Sequence, residues 1–398
     1  VRILIISFYY SPDIGPGPLR IKSLVDSLVK LNIRNLSIDV LTTMPNRYHT
    51  LSIEALAADY ADSVSVYRFT TPSHKSGMLD QARSFFSFAY KAIRKSQDKK
   101  YDLVFASSSR LMTALLGAYI AKKNHLPLYL DIRDIFVDTI KDVLPKYWAV
   151  LTKPIFSLIE HWTISAAHKV NLVSKGFSEY FSTRYPNQSY SYFTNGIDDE
   201  FLSLQKQKTV ARKKQFINVL YAGNLGEGQG LHKIIPNLAK IMYGKVHFTV
   251  IGDGGRKEAL SAALISEGIN NVLLLPPMKR KDLLEAYQMA DVLFLHLNDY
   301  DAFKKVLPSK IFEYGSLGKP IWAGVAGYAA EFINIELDNV ATFNPCDATE
   351  AKQVFQKLDM GYTNRDSFIA KFSRKNIMKE MAIDVLNTSS ISKVKNTK

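Results

Sequence analysis

The stretch VLFLHLNDYDAFKKVLPSKIFEYGSLGKP, residues 292–320, decides how this chain is read. A largely apolar run from Val292 to Leu297 leads into a turn, and then into a helical pattern whose start holds Ser309, Lys310 and Glu313. A short apolar run bounded by turn residues is the mark of a strand buried in a parallel sheet. In such sheets ligands gather at the carboxyl ends of the strands, where helix amino termini offer unpaired N–H groups to an anion. Lys310 adds a full positive charge there, and Glu313, one turn on, accepts hydrogen bonds from sugar hydroxyls. That set of groups suits a nucleoside diphosphate carrying a sugar.

Working outward, FINVLYAG (216–223), KVHFTVIG (245–252), NVLLLP (271–276) and KPIWAG (319–324) read as further strands separated by helical patterns. The first half shows the same rhythm in RILIIS (2–7), SIDVLTT (37–43), SVSVYRF (63–69), YDLVFAS (101–107), LPLYLDI (126–132) and KVNLVS (169–174). Ile21, Leu24, Val25 and Leu28 mark one face of a helix by their spacing. Strands alternating with helices predict an α/β chain of two doubly wound parallel sheets. The expected domains are 1–198 and 199–365, joined by a linker near 199–215. A helix over 366–387 is expected to pack back on the first domain, and 388–398 to form a polar tail.

A chain of 398 residues is too long for one ordinary core, and 47% hydrophobic with 22% charged residues is a globular composition. Its one cysteine, Cys346, excludes an internal disulfide framework. No stretch approaches the roughly 20 apolar residues of a membrane span, and VRILIISFYYSP reads as a first strand rather than a signal peptide, so a cytoplasmic location is expected. The net charge of +14 calls for an anionic partner. Residues 74–100 hold seven basic and two acidic groups, so much of that charge lies on one amphipathic segment.

The chain resembles glycosyltransferase family 4. YAGNLGEGQGL (221–231), VIGDGG (250–255) and LPSKIFEYGSLGKPI (307–321) look like that family's C-domain loops and donor-site helix. FYYSPDIGPGPLR (8–20) resembles its acceptor-side loop, and VSKGFSEYF with FTNGIDDEF (193–201) the approach to the domain crossover. Asn224 with Gln229 and the SKIFEY helix is most similar to the bacterial O-antigen and capsule branch, including aminosugar transferases of the N-acetyl-L-fucosamine type. The resemblance implies the GT-B fold, two Rossmann-like domains facing across a cleft. It also implies a retaining transfer of a hexose or N-acetylated aminosugar from a UDP-sugar, independent of metal and cofactor. The implied acceptor is a lipid-linked saccharide, such as one on undecaprenyl diphosphate, met at the inner face of the cytoplasmic membrane. Two departures from the family stand out. Asn224 and Gln229 stand where many members carry Arg and Lys, and Lys305 stands where the first of two paired glutamates is expected.

In this reading Glu313 accepts from the ribose hydroxyls and Lys310 neutralises the diphosphate, with Ser309 beside it. Asn224 and Gln229 donate amide hydrogens, while Gly223, Gly252 and Gly254 allow close backbone approach and Arg256 flanks the second turn. Gly15 and Gly17 form a loop that lies against the diphosphate and reacting sugar. Asp131 and Asp134, just past a strand in DIRDIFVD (131–138), are candidates to take the acceptor's proton. Helix capping is the duller account of Asp134.

The segment 74–100 is expected to dock Ala82, Phe85, Phe86, Ala89 and Ile93 on the first sheet, with Phe88 and Tyr90 off the stripe and free to meet lipid. Residues 146–162, with Tyr147, Trp148, Ile155, Phe156 and Trp162, repeat that suggestion. Asp299 and Asp301 spell a metal-binding D-x-D pattern that the loop position argues against, so no metal is expected. Two rivals remain. An NAD-dependent oxidoreductase needs a G-x-G-x-x-G turn that the first loop does not supply, and a nucleic-acid-binding protein would need basic residues interleaved with aromatics along a groove.

Overall fold

The computed structural model describes residues 1–13, 15–46, 54–72, 78–108, 111–137, 146–204 and 215–395. The chain divides into two compact units, Val1–Asn195 with Arg374–Lys398, and Gly196–Ser373.

The first unit is built on β1 (Arg2–Ile6), β2 (Ser37–Thr43), β3 (Ala58–Ala61), β4 (Val64–Phe69), β5 (Leu103–Ser108), β6 (Leu128–Ile132), β7 (Lys169–Leu172) and β8 (Tyr190–Ser191). Their order is β3-β4-β2-β1-β5-β6-β7-β8, parallel except for the β3–β4 pair. Ile21, Leu24, Val25 and Leu28 of the Pro16–Lys30 helix are all buried, packed with Ile3, Ile5, Val40 and Phe105 of the sheet. Burial of each such side chain is worth about 1.5–3 kcal/mol.

The second unit holds β9 (Ile217–Ala222), β10 (Val246–Ile251), β11 (Val272–Leu275), β12 (Val292–His296), β13 (Ile321–Gly324) and β14 (Val340–Phe343), ordered β11-β10-β9-β12-β13-β14. All its pairings are parallel. Trp322 is wholly buried against Phe248, Phe294 and Phe343, and its indole N–H donates to the Ala351 carbonyl at 3.0 Å. That bond meets the demand of a buried indole for a partner.

Several elements differ from expectation. The short strands β3 and β8 carry too little apolar patterning to be read from sequence, and β14, though apolar, is only four residues long. The helix expected over 366–387 is two helices, Asp366–Lys371 and Arg374–Lys395, and the second runs through most of the expected polar tail. The unit boundary falls between the two helices on one side and after Asn195 on the other. In the expected linker, residues 199–204 form the Asp199–Leu204 helix, while 205–214 lie outside the described residues.

The amphipathic segment is the Met78–Lys95 helix, with 74–77 outside the described residues. Its inward face is the expected one only in part: Phe85 is buried and Tyr90 exposed, as expected. Phe88 is buried against Phe8 and Phe69, whereas Phe86 is 63% exposed and Ala82 faces solvent. Phe88 joins Phe8, Phe69 and Phe85 in an aromatic cluster under the helix, in the inward position that the expected stripe gave to Phe86. In the Lys146–Ser165 helix the side chains of Tyr147 and Trp148 lie outside the described residues, and Ile155 and Leu158 are exposed. No described helix is long and apolar enough to cross a membrane.

Candidate functional site

The second sheet reverses its strand order between β9 and β12. The loops leaving those strands therefore meet at a switch point, where open α/β sheets hold ligands. The Asn298 N–H donates to the Gly228 carbonyl and the Asn298 amide to the Glu227 carbonyl, each at 2.8 Å. His296, at the end of β12, is buried between the same loop and the turn at Cys346. Its Nδ1 lies 2.7 Å from the Gln229 carbonyl and its Nε2 accepts from the Cys346 N–H at 3.0 Å. One ring nitrogen donates and the other accepts, so the imidazole is neutral. Burial accordingly pushes its pKa down to about 4.

Lys310 opens the Lys310–Ser316 helix beside this junction. A Cβ on Gly223 would stand 3.6 Å from Lys310 Cε. Lys310 Nζ donates to Glu313 Oε2 at 2.8 Å and to Tyr287 Oη at 2.9 Å, and Tyr287 donates to Glu313 Oε2 at 3.1 Å. Burial works against the Lys310 charge, but Glu313 more than offsets it and raises the ammonium above its usual range. Burial likewise opposes ionisation of Glu313, and the Lys310 and Arg280 charges overcome it and hold the carboxyl below its ordinary value. The two side chains are therefore an ion pair at neutral pH, with the negative member mostly buried. Arg280 is in turn anchored to Glu200 at 2.8 Å and to Asp198 at 3.4 Å, over the ring of Phe201. Ser309 stands at the helix cap position without making a side-chain capping bond.

Other expected donor residues gather at the same place, each with a structural partner. Asn224 donates to the Gln229 side-chain carbonyl at 2.8 Å, which leaves the Gln229 amide nitrogen to a ligand. Gly252 and Gly254 have φ of 154° and 156°, and a Cβ on either would collide with the Gly223–Leu225 backbone or the Asn224 side chain. Their first requirement is thus the close packing of two loops. Arg256 is engaged by Glu227, which also takes the Tyr300 hydroxyl and lies near Lys233 and His232. Asp301 of the D-x-D pattern pairs with Lys304 at 2.8 Å. Among the described residues no cluster of His, Cys, Asp or Glu is arranged to hold a metal ion.

The remaining candidates belong to the first unit. Gly15 caps the Pro16–Lys30 helix at φ 146°, and a Cβ on Gly17 would stand 2.3 Å from the Arg133 guanidinium. Asp131 requires a correction. It is fully buried at the end of β6, where Arg20 grips both of its oxygens at 2.9 Å and Asn171 donates to Oδ1 at 2.8 Å. Arg20, also fully buried, ties this carboxylate to the carbonyls of Phe193 and Thr194 at 2.7 Å. A carboxylate so engaged holds the sheet to the approach of the crossover and is not placed to take a proton from an acceptor. Asp134 keeps its side chain open to solvent, although the dense protein around it pushes its carboxyl up to about 6 against the pull of Arg133. Asp138 lies outside the described residues.

Tyr287, Arg280 and Tyr314 were missed from sequence. The neighbourhood of Tyr287 is assembled by the fold, 23 positions before Lys310, and no local spacing signals it.

Residues 203–370 match the family model for glycosyl transferases group 1. Over 157 residues the chain is 28% identical to the Escherichia coli (strain K12) protein named "Putative colanic acid biosynthesis glycosyl transferase WcaI", a match covering 39% of this chain and 38% of that protein's length. Solved structures share the fold over nearly the whole chain. Sucrose-phosphate synthase from Thermosynechococcus elongatus has a TM-score of 0.75 at 13% identity, covering 98% of this chain and 99% of that one. Anabaena HepE in complex with UDP and glucose has a TM-score of 0.66 at 18% identity, covering 97% and 99%. The trehalose 6-phosphate synthase of Burkholderia multivorans has a TM-score of 0.69 at 11% identity, covering 99% and 98%. The chain has the GT-B fold, and the stretch that is similar to the glycosyl transferases group 1 model lies in its second half.

Proposed function

We propose that this protein is a retaining glycosyltransferase that moves a hexose or N-acetylated aminosugar from a UDP-sugar to a lipid-linked saccharide during assembly of a cell-surface polysaccharide. The observation that carries this reading is the Lys310–Glu313 ion pair at the switch point of the second sheet, beside Gly223. Lys310 and the helix starts around it neutralise the diphosphate, both in the bound donor and as charge develops on the leaving group. Glu313 orients the ribose by accepting from its hydroxyls, and the neutral amides of Asn224 and Gln229 add directional contacts. The leaving diphosphate, on the same face of the sugar as the incoming hydroxyl, takes the acceptor's proton. Of the two acceptor-side carboxylates, Asp134, exposed just past β6, is the one left open to a ligand.

UDP is favoured because HepE, of the same fold, is described with UDP and with UDP-glucose. The polysaccharide role draws on the colanic acid relative. Exposed Phe86, Tyr90, Ile155 and Leu158, set among Arg83, Arg94 and Lys153, suit contact of the first unit with the anionic inner face of the cytoplasmic membrane, where such an acceptor is carried.

Thermal-shift screening against UDP, GDP, ADP and CDP tests the donor half. Ligand at 100 times its Kd stabilises a protein by about 2.7 kcal/mol, so UDP should raise the melting temperature by several degrees while the others do so less. Release of UDP from a UDP-sugar that depends on lipid-extracted acceptor tests the transfer. Absence of both responses would overturn the reading.

A further inference from the structure

We propose that Tyr287 is a positioning residue for the nucleotide, deciding which oxygen of Glu313 and which N–H of Lys310 are presented to it. The inference rests on the reading of Glu313 and Lys310 as ribose and diphosphate contacts. Tyr287 lies on the Arg280–Met289 helix, wholly buried, with its ring packed on Phe201 and Tyr314 at centroid distances of 5.9 and 5.7 Å. It cannot itself touch a ligand.

Its hydroxyl closes a ring of three groups. Lys310 donates to Tyr287, Tyr287 donates to Glu313 Oε2, and Lys310 donates to the same oxygen. Burial and then the Glu313 charge raise the phenol well above its ordinary value, so it remains a neutral donor. The hydrogen-bond inventory of the site follows. Glu313 Oε2 has two donors, whereas Oε1 accepts none and still reaches solvent. The Lys310 ammonium has three N–H groups, of which two are spent inside the ring.

One carboxylate oxygen and one ammonium hydrogen therefore face outward in fixed directions. Without the phenol the carboxylate is held by a single donor, so its rotation and that of the ammonium are freed. Ordering them again would fall on the ligand as a cost of binding.

Tyr287→Phe keeps the ring between Phe201 and Tyr314 and removes only the oxygen. Calorimetry with UDP and with 2′,3′-dideoxy-UDP, on the wild type and on this variant, reads the effect. The wild type should prefer UDP by about tenfold or more, as expected for a hydrogen bond to a charged group. In Tyr287→Phe that preference should shrink to about threefold, and KM for the donor should rise more than kcat falls, with the unfolding midpoint retained. Glu313→Gln should abolish the preference, and adding Tyr287→Phe to it should alter that preference no further, because the two act on it as one unit.

A Tyr287→Phe protein with the wild-type preference and KM overturns the inference, as do additive effects in the double variant. A wild type that binds UDP and its dideoxy analogue equally overturns the ribose role of Glu313, and with it this role of Tyr287. Failure of the wild type to bind UDP at all overturns the proposed donor instead.

Discussion

Lys310 and Asp131 are both charged side chains engaged by an opposite charge, yet their surroundings give them different work. The Lys310 side chain retains 22% of its exposure and its ammonium one unspent N–H, so it is open to charge delivered to the site. Lys310→Ala should lower turnover by about 100-fold or more, the usual loss on removing a group that stabilises developing charge. Initial-rate measurements at saturating donor check this, with circular dichroism showing the fold intact. Asp131 has no exposure and no spare oxygen. Asp131→Asn leaves the buried Arg20 guanidinium without its counter-charge, and should cost about 3–5 kcal/mol in urea unfolding. UDP affinity of the folded protein should be unchanged, because the donor residues lie in the other unit. The pair also marks what sequence holds at this scale. That Lys310 and Glu313 stand side by side was legible because they share one helix three positions apart. Asp131 was misread because a strand-end carboxylate looks the same in sequence whether it faces a ligand or an arginine 111 positions away.

Elements show the same division between local and distant information. Strands with continuous apolar runs, such as β1, β5 and β12, were legible to within a residue or two, since burial on both faces needs that composition. The Met78–Lys95 helix was legible as a helix, but its inward face was legible only in part, because helical spacing alone does not distinguish Phe86 from Phe88 until the aromatic cluster of Phe8 and Phe69 is known. His296 joins three elements: its own strand, the Gln229 loop and the turn at Cys346. Its folded-state pKa of about 4 lies below the ordinary value of 6.5. In that interval the unfolded chain takes up the proton and the folded chain does not, so stability is full above pH 6.5 and falls as pH drops toward 4. The loss amounts to roughly 3 kcal/mol at most. Urea midpoints at pH 7 and pH 4.5 should therefore drop further for the wild type than for His296→Asn, which has no group titrating there. Equal drops would remove His296 from the acid response.

At the scale of the whole molecule, the alternation of strands and helices made two α/β sheets legible, and the family-like loops made their kind legible. The partition of the late helices was not, since one continuous helical pattern covers both Asp366–Lys371 and Arg374–Lys395 and only packing separates them. The second helix belongs to the first unit. Its Met378, Met381, Ala382 and Val385 are buried with Ile21, Leu24 and Phe105, and Asp384 accepts from Tyr129 at 2.9 Å and from Ser191 at 2.7 Å. A chain ending at residue 373 should lose the cooperative unfolding of the first unit, seen as rapid proteolysis within 1–195 while fragments of 215–365 persist. Equal resistance of both regions would mean that the helix adds little.

That return of the Arg374–Lys395 helix bears on biosynthesis. The ribosome makes the first sheet long before the helix that covers part of it, with some 180 residues of the second unit translated in between. At about 5–20 residues per second the nascent chain waits on the order of ten seconds or more with an uncovered apolar seam. During that interval the seam is a place for a chaperone to hold.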